Sequence, residues 1–180
     1  MIRNVQRFAA FAVPLSALLL CTGCMGRMIR EGAGVVTGAS GKAVELQPLS
    51  GRQLDQYGSI SFDSLGTDMP NVPSSLPDRI RRQTLEALRE KKLFGDGGPA
   101  LVIRGRIIHY ETGGAVDAAI GPLQEVIARV ELADASGGTI GVANIIGRAK
   151  SLTAGGEGNL AEGAAKGIVE WISQHRSGSR

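Results

Sequence analysis

The sequence predicts an α+β fold: a mainly antiparallel sheet of four to five strands with two helices packed on one face, in the order β-α-β-β-β-α. Three segments between Ala100 and Ala149 place apolar residues at alternate positions, which is the period of a strand. Two further segments, near 77–92 and 160–174, repeat apolar residues at the spacing of a helix face. The chain of 180 residues holds 26 glycines and only 4% aromatic residues, a composition of short elements joined by many turns rather than of a pocket lined with rings. Runs of strands beside helices, rather than strict strand–helix alternation, place it among α+β folds.

The first strand is "SISFDSLG", Ser59 to Gly66, where Ile60, Phe62 and Ser64 alternate with Ser59, Ser61 and Asp63. Three prolines in "TDMPNVPSSLP" break it. A helix follows from Pro77 to Lys92. Ser75 and Asp78 have the spacing of a capping box, and Pro77 suits a first turn. Leu76, Ile80, Thr84, Leu85, Ala87 and Leu88 share one half of its wheel, while Arg79, Arg82, Glu86, Arg89 and Glu90 fill the other as a solvated face.

In the strand Ala100–Tyr110, Leu101, Ile103, Gly105, Ile107 and His109 share the core parity, and Val102, Arg104, Arg106, Ile108 and Tyr110 the other. His109 is thus expected at the core rim. In Glu125–Asp134, Val126, Ala128, Val130 and Leu132 point inward, leaving Arg129 and Glu131 available for cross-strand pairs with Arg104 and Arg106. "DASGG" marks a hairpin turn into the strand Thr139–Ala149. The last helix runs from Leu160 to Gln174, with Asn159 and Glu162 at its start and Leu160, Ala164, Ile168 and Ile172 on one face. The polar "HRSGSR" reads as a frayed, exposed tail.

The N-terminus has another logic. "MIRNVQR" carries two arginines, Phe8–Leu20 is an apolar run of 13 residues, and small residues follow. This is the order of a secretory signal. As a helix the run rises about 20 Å, short of the ~30 Å hydrocarbon core. The expected organisation is a signal peptide over 1–23, a lipidated N-terminus with a flexible tether over 24–50, one α+β domain over 51–176 and a frayed end over 177–180. "LCTGC" (Leu20 to Cys24) resembles the lipobox of bacterial lipoproteins, with Gly23 and Thr22 before the acceptor and Cys21 where Leu is usual. That resemblance implies cleavage between Gly23 and Cys24, palmitate-type acylation on the Cys24 sulfur, and stable anchoring by two or more chains. Met25, in place of Asp, implies the outer membrane, facing the periplasm.

The 20 Lys and Arg stand against 17 Asp and Glu, and two of the cations, Arg3 and Arg7, fall in the leader. A mature chain one charge from neutral has no electrostatic footprint for nucleic acid. A zinc site needs four ligands, and beyond the two cysteines the chain offers only His109 and His175. "GAGVVTG" lacks the dinucleotide spacing. No metal and no cofactor are expected. "ETGGAVDAAIGPLQE" (Glu111 to Glu125) is long for a hairpin connection, and Ala118, Ala119, Ile120 and Leu123 would form a contact patch unless it is a plain flexible tip.

The helix "LPDRIRRQTLEALREKKLF", the strand "LVIRGRIIHYETGG" and the hairpin "VELADASGGTIG" resemble a group of uncharacterised bacterial envelope lipoproteins over about residues 58–175. More distantly the order is similar to the TolB N-terminal domain, the CsgG lipoprotein and the lipoproteins that activate peptidoglycan synthases. These resemblances imply a non-catalytic, protein-binding adaptor at the envelope whose partner is another envelope protein or a second copy. The alternative is an envelope enzyme, hydrolase-like, with a site near the strand end and loop at 109–125 and His109, Asp117 and Glu125 as its candidates. A ring-forming homo-oligomer is a third reading, though the long amphipathic strand pair of a membrane barrel is absent.

Overall fold

A computed structural model describes residues 38–51, 53–112, 123–150 and 156–177. They belong to one compact unit, Gly38–Arg180. The signal segment, Gly23, Cys24 and most of the expected tether lie outside the described residues. The elements are β1 (Ser40–Gln47), β2 (Ser59–Thr67), α1 (Leu76–Glu90), β3 (Ala100–Glu111), β4 (Leu123–Asp134), β5 (Thr139–Lys150) and α2 (Gly156–Gln174), with one 3-10 turn at Gln53–Gln56.

The fold is α+β, and it departs from expectation in two ways. First, β1 lies inside the segment expected as a tether, so the order is β-β-α-β-β-β-α. Its core-facing positions are Gly41 and Ala43, opposite Gly147 and Ile145 of β5. Small side chains there hide the apolar alternation by which a strand is recognised. Second, the five-stranded sheet, ordered β1-β5-β4-β3-β2, is antiparallel at three of its four pairings, as expected of a mainly antiparallel sheet, but it is mixed, because β2 runs parallel to β3. The reason is α1: a helix between two neighbouring strands is a crossover, and a crossover joins parallel strands.

Two bulges set which side chains meet the core. The shift between Phe62 and Ser64 sends Ser64 to the free face opposite Arg104 and brings Leu65 against the core. The shift between Ile107 and His109 does the same on β3. His109 sits opposite Ile127 on the free face, and Tyr110 packs on the core, the reverse of the parity read from the sequence. A bulge adds one residue to a strand of period two, so every later side chain changes sides.

One core joins the helix-facing side of the sheet to both helices. Leu101, Ile103, Ile107, Val130 and Ile145 meet Ile80 and Leu88 of α1 and Leu160, Ile168 and Trp171 of α2. The capping boxes read from the sequence do not form. Ser75 makes no side-chain cap; its hydroxyl donates instead to Glu157 of α2, which Arg79 also approaches at 3.4 Å. Helix α2 starts at Gly156, so Asn159 lies inside it rather than at its cap.

Helix α2 lies almost backbone to backbone on β1 and β5. A Cβ on Gly41 would stand 2.0 Å from the Gly163 carbonyl oxygen and 2.4 Å from the Gly167 nitrogen, and one on Gly147 would stand 2.6 Å from the Ala164 nitrogen. The abundance of glycine noted in the sequence is therefore, at these places, a packing requirement rather than a sign of loops.

Of the segment expected as a frayed tail, His175, Arg176 and Ser177 are docked, while residues 178–180 lie outside the described residues. The Arg176 guanidinium donates to the Leu54 and Tyr57 carbonyls at 2.8 and 2.6 Å and stacks 4.1 Å above the Phe94 ring. Burial lowers its pKa from the ordinary guanidinium value. His175 meets Glu45 at 2.9 Å, and the Trp171 indole donates to the same carboxylate oxygen at 2.7 Å. Arg176→Ala, which orphans two carbonyls and uncovers Phe94, is expected to lower unfolding free energy by about 1–3 kcal/mol, measured as a reduced urea midpoint at unchanged slope.

Candidate interaction surfaces

The helices cover one face of the sheet. On the other, side chains are arranged in cross-strand rows. Arg104 donates to Glu131 at 2.7 Å, with the Thr139 hydroxyl on the same carboxylate oxygen. Arg148 meets Glu125 at 2.5 Å, and Arg129 donates to Asn144 at 3.3 Å. Arg106 stands opposite Arg129 and pairs with Asp68. Of the cross-strand pairs expected among Arg104, Arg106, Arg129 and Glu131, one forms, between Arg104 and Glu131.

These carboxylates hold the sheet and its turn. The hydrogen bond from Arg104, then that from Thr139, keeps the Glu131 carboxyl below its usual range. Asp134 is likewise lowered, first by the Ser136 hydroxyl and then by the Gly138 amide of the β4–β5 turn. Because both folded values are depressed, the stabilisation is present above the unfolded carboxylate values, about 4, and is lost as pH falls through the folded ones. Hairpin stability is therefore expected to be flat above about pH 5 and to decline below about pH 4. Ser136 and Gly138 amide shifts followed by NMR should titrate together in that acid range, and Asp134→Asn should remove the response.

The residues read as candidates from the sequence are dispersed. Ala118, Ala119, Ile120 and Asp117 lie outside the described residues, as do Gly23 and Cys24. Leu123 opens β4. His109, with its side chain 43% exposed, approaches Glu111 at 3.6 Å on the free face. His175 lies on the helix-bearing side, against Glu45, so the sheet separates the two histidines. Glu125 is engaged by Arg148 and Asp134 by its own turn. Among the described residues no three His, Cys, Asp or Glu side chains gather as a metal site, and no helix is long and apolar enough to cross a membrane.

A free sheet edge is, beside the 111–125 loop, the contact surface expected from the sequence; what the sequence did not identify is which strands form the edges. Among the described strands, β1 has a neighbour only in β5, and β2 only in β3. Among the described residues, the exposed large apolar side chains are Val44, at 41%, and Leu46, at 50%, both on β1, and Ile108 beside the β3 bulge. A notch of about 300 Å³ runs between β2 and α1, lined by Arg81, Arg89, Phe94 and Asp96 among others. Edges with free amides and carbonyls are templates for another strand. A sequence does not state which strands end up outermost, so no local signal could have found them.

No protein-family model matches this chain, and no curated protein matches it. Solved structures do. The PelC dodecamer from Paraburkholderia phytofirmans is 14% identical, with 77% of this chain and 99% of that chain covered and a TM-score of 0.50. A point-variant PelC dodecamer from the same organism is 16% identical over the same shares, with a TM-score of 0.49. A minor lipoprotein from Acinetobacter baumannii is 14% identical, with 61% and 91% covered and a TM-score of 0.37. At these identities the likeness is one of fold: this chain has the α+β architecture seen in PelC.

Proposed function

We propose that this chain is a lipid-anchored envelope protein whose domain acts by protein contact, without catalysis, and whose partner is a second copy of itself. Cys24, acylated after cleavage behind Gly23, moors it to the outer membrane on the periplasmic side. The observation that carries the protein-contact reading is a sheet whose two outer strands are, among the described residues, unpaired on one side, with a free face whose charged side chains are engaged with one another rather than aimed at a shared point. A second copy is favoured because the PelC structure that shares the fold is a dodecamer.

Extraction of the full-length protein from membranes in mild detergent, followed by light scattering, tests the reading. A mass that is a fixed multiple of the protomer supports it. A single protomer at every concentration contradicts it. The substitutions His109→Ala and Glu125→Gln are expected to leave the cellular phenotype intact, and its loss would point instead to chemistry at the 109–125 strand end.

A further inference from the structure

Resting on that self-contact reading, we infer that copies join edge to edge, with β1 of one copy adding to β2 of the next as an antiparallel pair, so that the sheet runs on from protomer to protomer. Strand direction is the first reason. β1 is antiparallel to β5, β5 to β4 and β4 to β3, while β2 is parallel to β3. The two edge strands consequently run in opposite directions. A neighbour that repeats the sheet with its helices on the same side brings β1 antiparallel to β2. Had β2 been antiparallel to β3, the same continuation would have made a parallel pair, which is slightly less stable per residue.

The edges also match in length and chemistry. β1 has 8 residues and β2 has 9. Two rows cross the whole sheet from edge to edge on its free face, and the one that carries an exposed apolar side chain at the β1 edge is Val44, Asn144, Arg129, Arg106, Gly66. Continued into the next copy, that row sets the exposed Val44 against Gly66, where no heavy atom lies within 4 Å of a built Cβ. In the same antiparallel register the exposed Lys42 meets Asp68, which pairs with Arg106 within its own protomer and whose side chain, 80% exposed, is open to a second cation. Apolar surface is covered at one position and opposite charges meet at the next. Each copy offers one edge and accepts the other, a head-to-tail contact that closes into a ring or extends as a filament according to its rotation.

Engineered cysteines in the full chain, oxidised in membranes with wild type as control, test this. Within one protomer, residues 44 and 66 lie four strand spacings apart, roughly 19 Å, too far for an internal disulfide. The double variant Val44→Cys with Gly66→Cys is expected to give a reducible ladder of multimers. A mixture of the two single variants should give dimers only, and each single variant alone should stay monomeric. A dimer from Val44→Cys alone, or from Gly66→Cys alone, would overturn the inference in favour of a two-fold pairing of like edges. No disulfide in the double variant, while an amine crosslinker still captures multimers, would overturn the edges and leave self-contact standing. Capture of nothing by either reagent would remove the self-contact reading itself. As a second variant, Val44→Lys should cut the multimer fraction at least tenfold with its unfolding midpoint unchanged; an unaltered fraction contradicts the contact.

Discussion

Gly41→Ala is expected to lower the melting temperature by more than about 10 °C, corresponding to about 3 kcal/mol in a domain of this size. The added methyl has nowhere to go. Its carbon would lie 2.0 Å from the Gly163 oxygen and 2.4 Å from the Gly167 nitrogen, both backbone atoms of α2. A side chain in the way can change rotamer, but a helix backbone can only be displaced. Lifting α2 would open the contacts that bury Leu160, Ile168 and Trp171, which are essentially inaccessible to solvent. Overpacking of ordinary cores costs about 1–3 kcal/mol, and this site stands at or above the top of that range because nothing flexible borders it. The internal control is Gly66→Ala. Gly66 also lies in a strand but has open space about its Cβ position, and its φ is not positive. That substitution is expected to leave the melting temperature within about 2 °C. Calorimetry on the two variants separates the two meanings of glycine in one experiment. Equal, small shifts would contradict backbone-to-backbone packing of α2 on β1.

Cys24→Ser is expected to move the protein from the membrane fraction to the soluble periplasmic fraction almost completely. A hydroxyl cannot take the place of the sulfur in a thioether. Without acyl chains, membrane affinity would have to come from the folded unit, and its described helices are too short or too polar to span a bilayer. Two chains anchor stably whereas one binds only reversibly, so fractionation of the variant should be all or nothing rather than graded. Retention of the variant in the membrane at wild-type level would remove the lipid anchor from the account.

The parts of this fold that the sequence disclosed are those whose periodicity survives intact. α1 was legible because Leu76, Ile80, Thr84 and Leu88 keep helical spacing along one face, and these are the residues the structure buries. β4 was legible because Val126, Ala128, Val130 and Leu132 alternate without interruption and are all buried. β1 was not, because close approach of α2 demands glycine and alanine where a strand would otherwise show its apolar residues. The parity of His109 and Tyr110 was not, because one bulge between Ile107 and His109 reverses it, and a bulge leaves no mark in the alternation that precedes it. The direction of β2 was legible in principle from the helix between it and β3. The contact surfaces were the least accessible. The loop residues Ala118, Ala119 and Ile120 stood out by composition, whereas the edges emerge only when five strands are placed in order.

The lipid anchor is tested most directly by the intact mass of the protein purified from its own membranes. The expected result is a chain beginning at Cys24 and heavier than that polypeptide by a diacylglycerol and an amide-linked acyl chain, with fragmentation placing both on the first residue. A mass equal to the polypeptide alone, whether starting at Met1 or at any other residue, would contradict it.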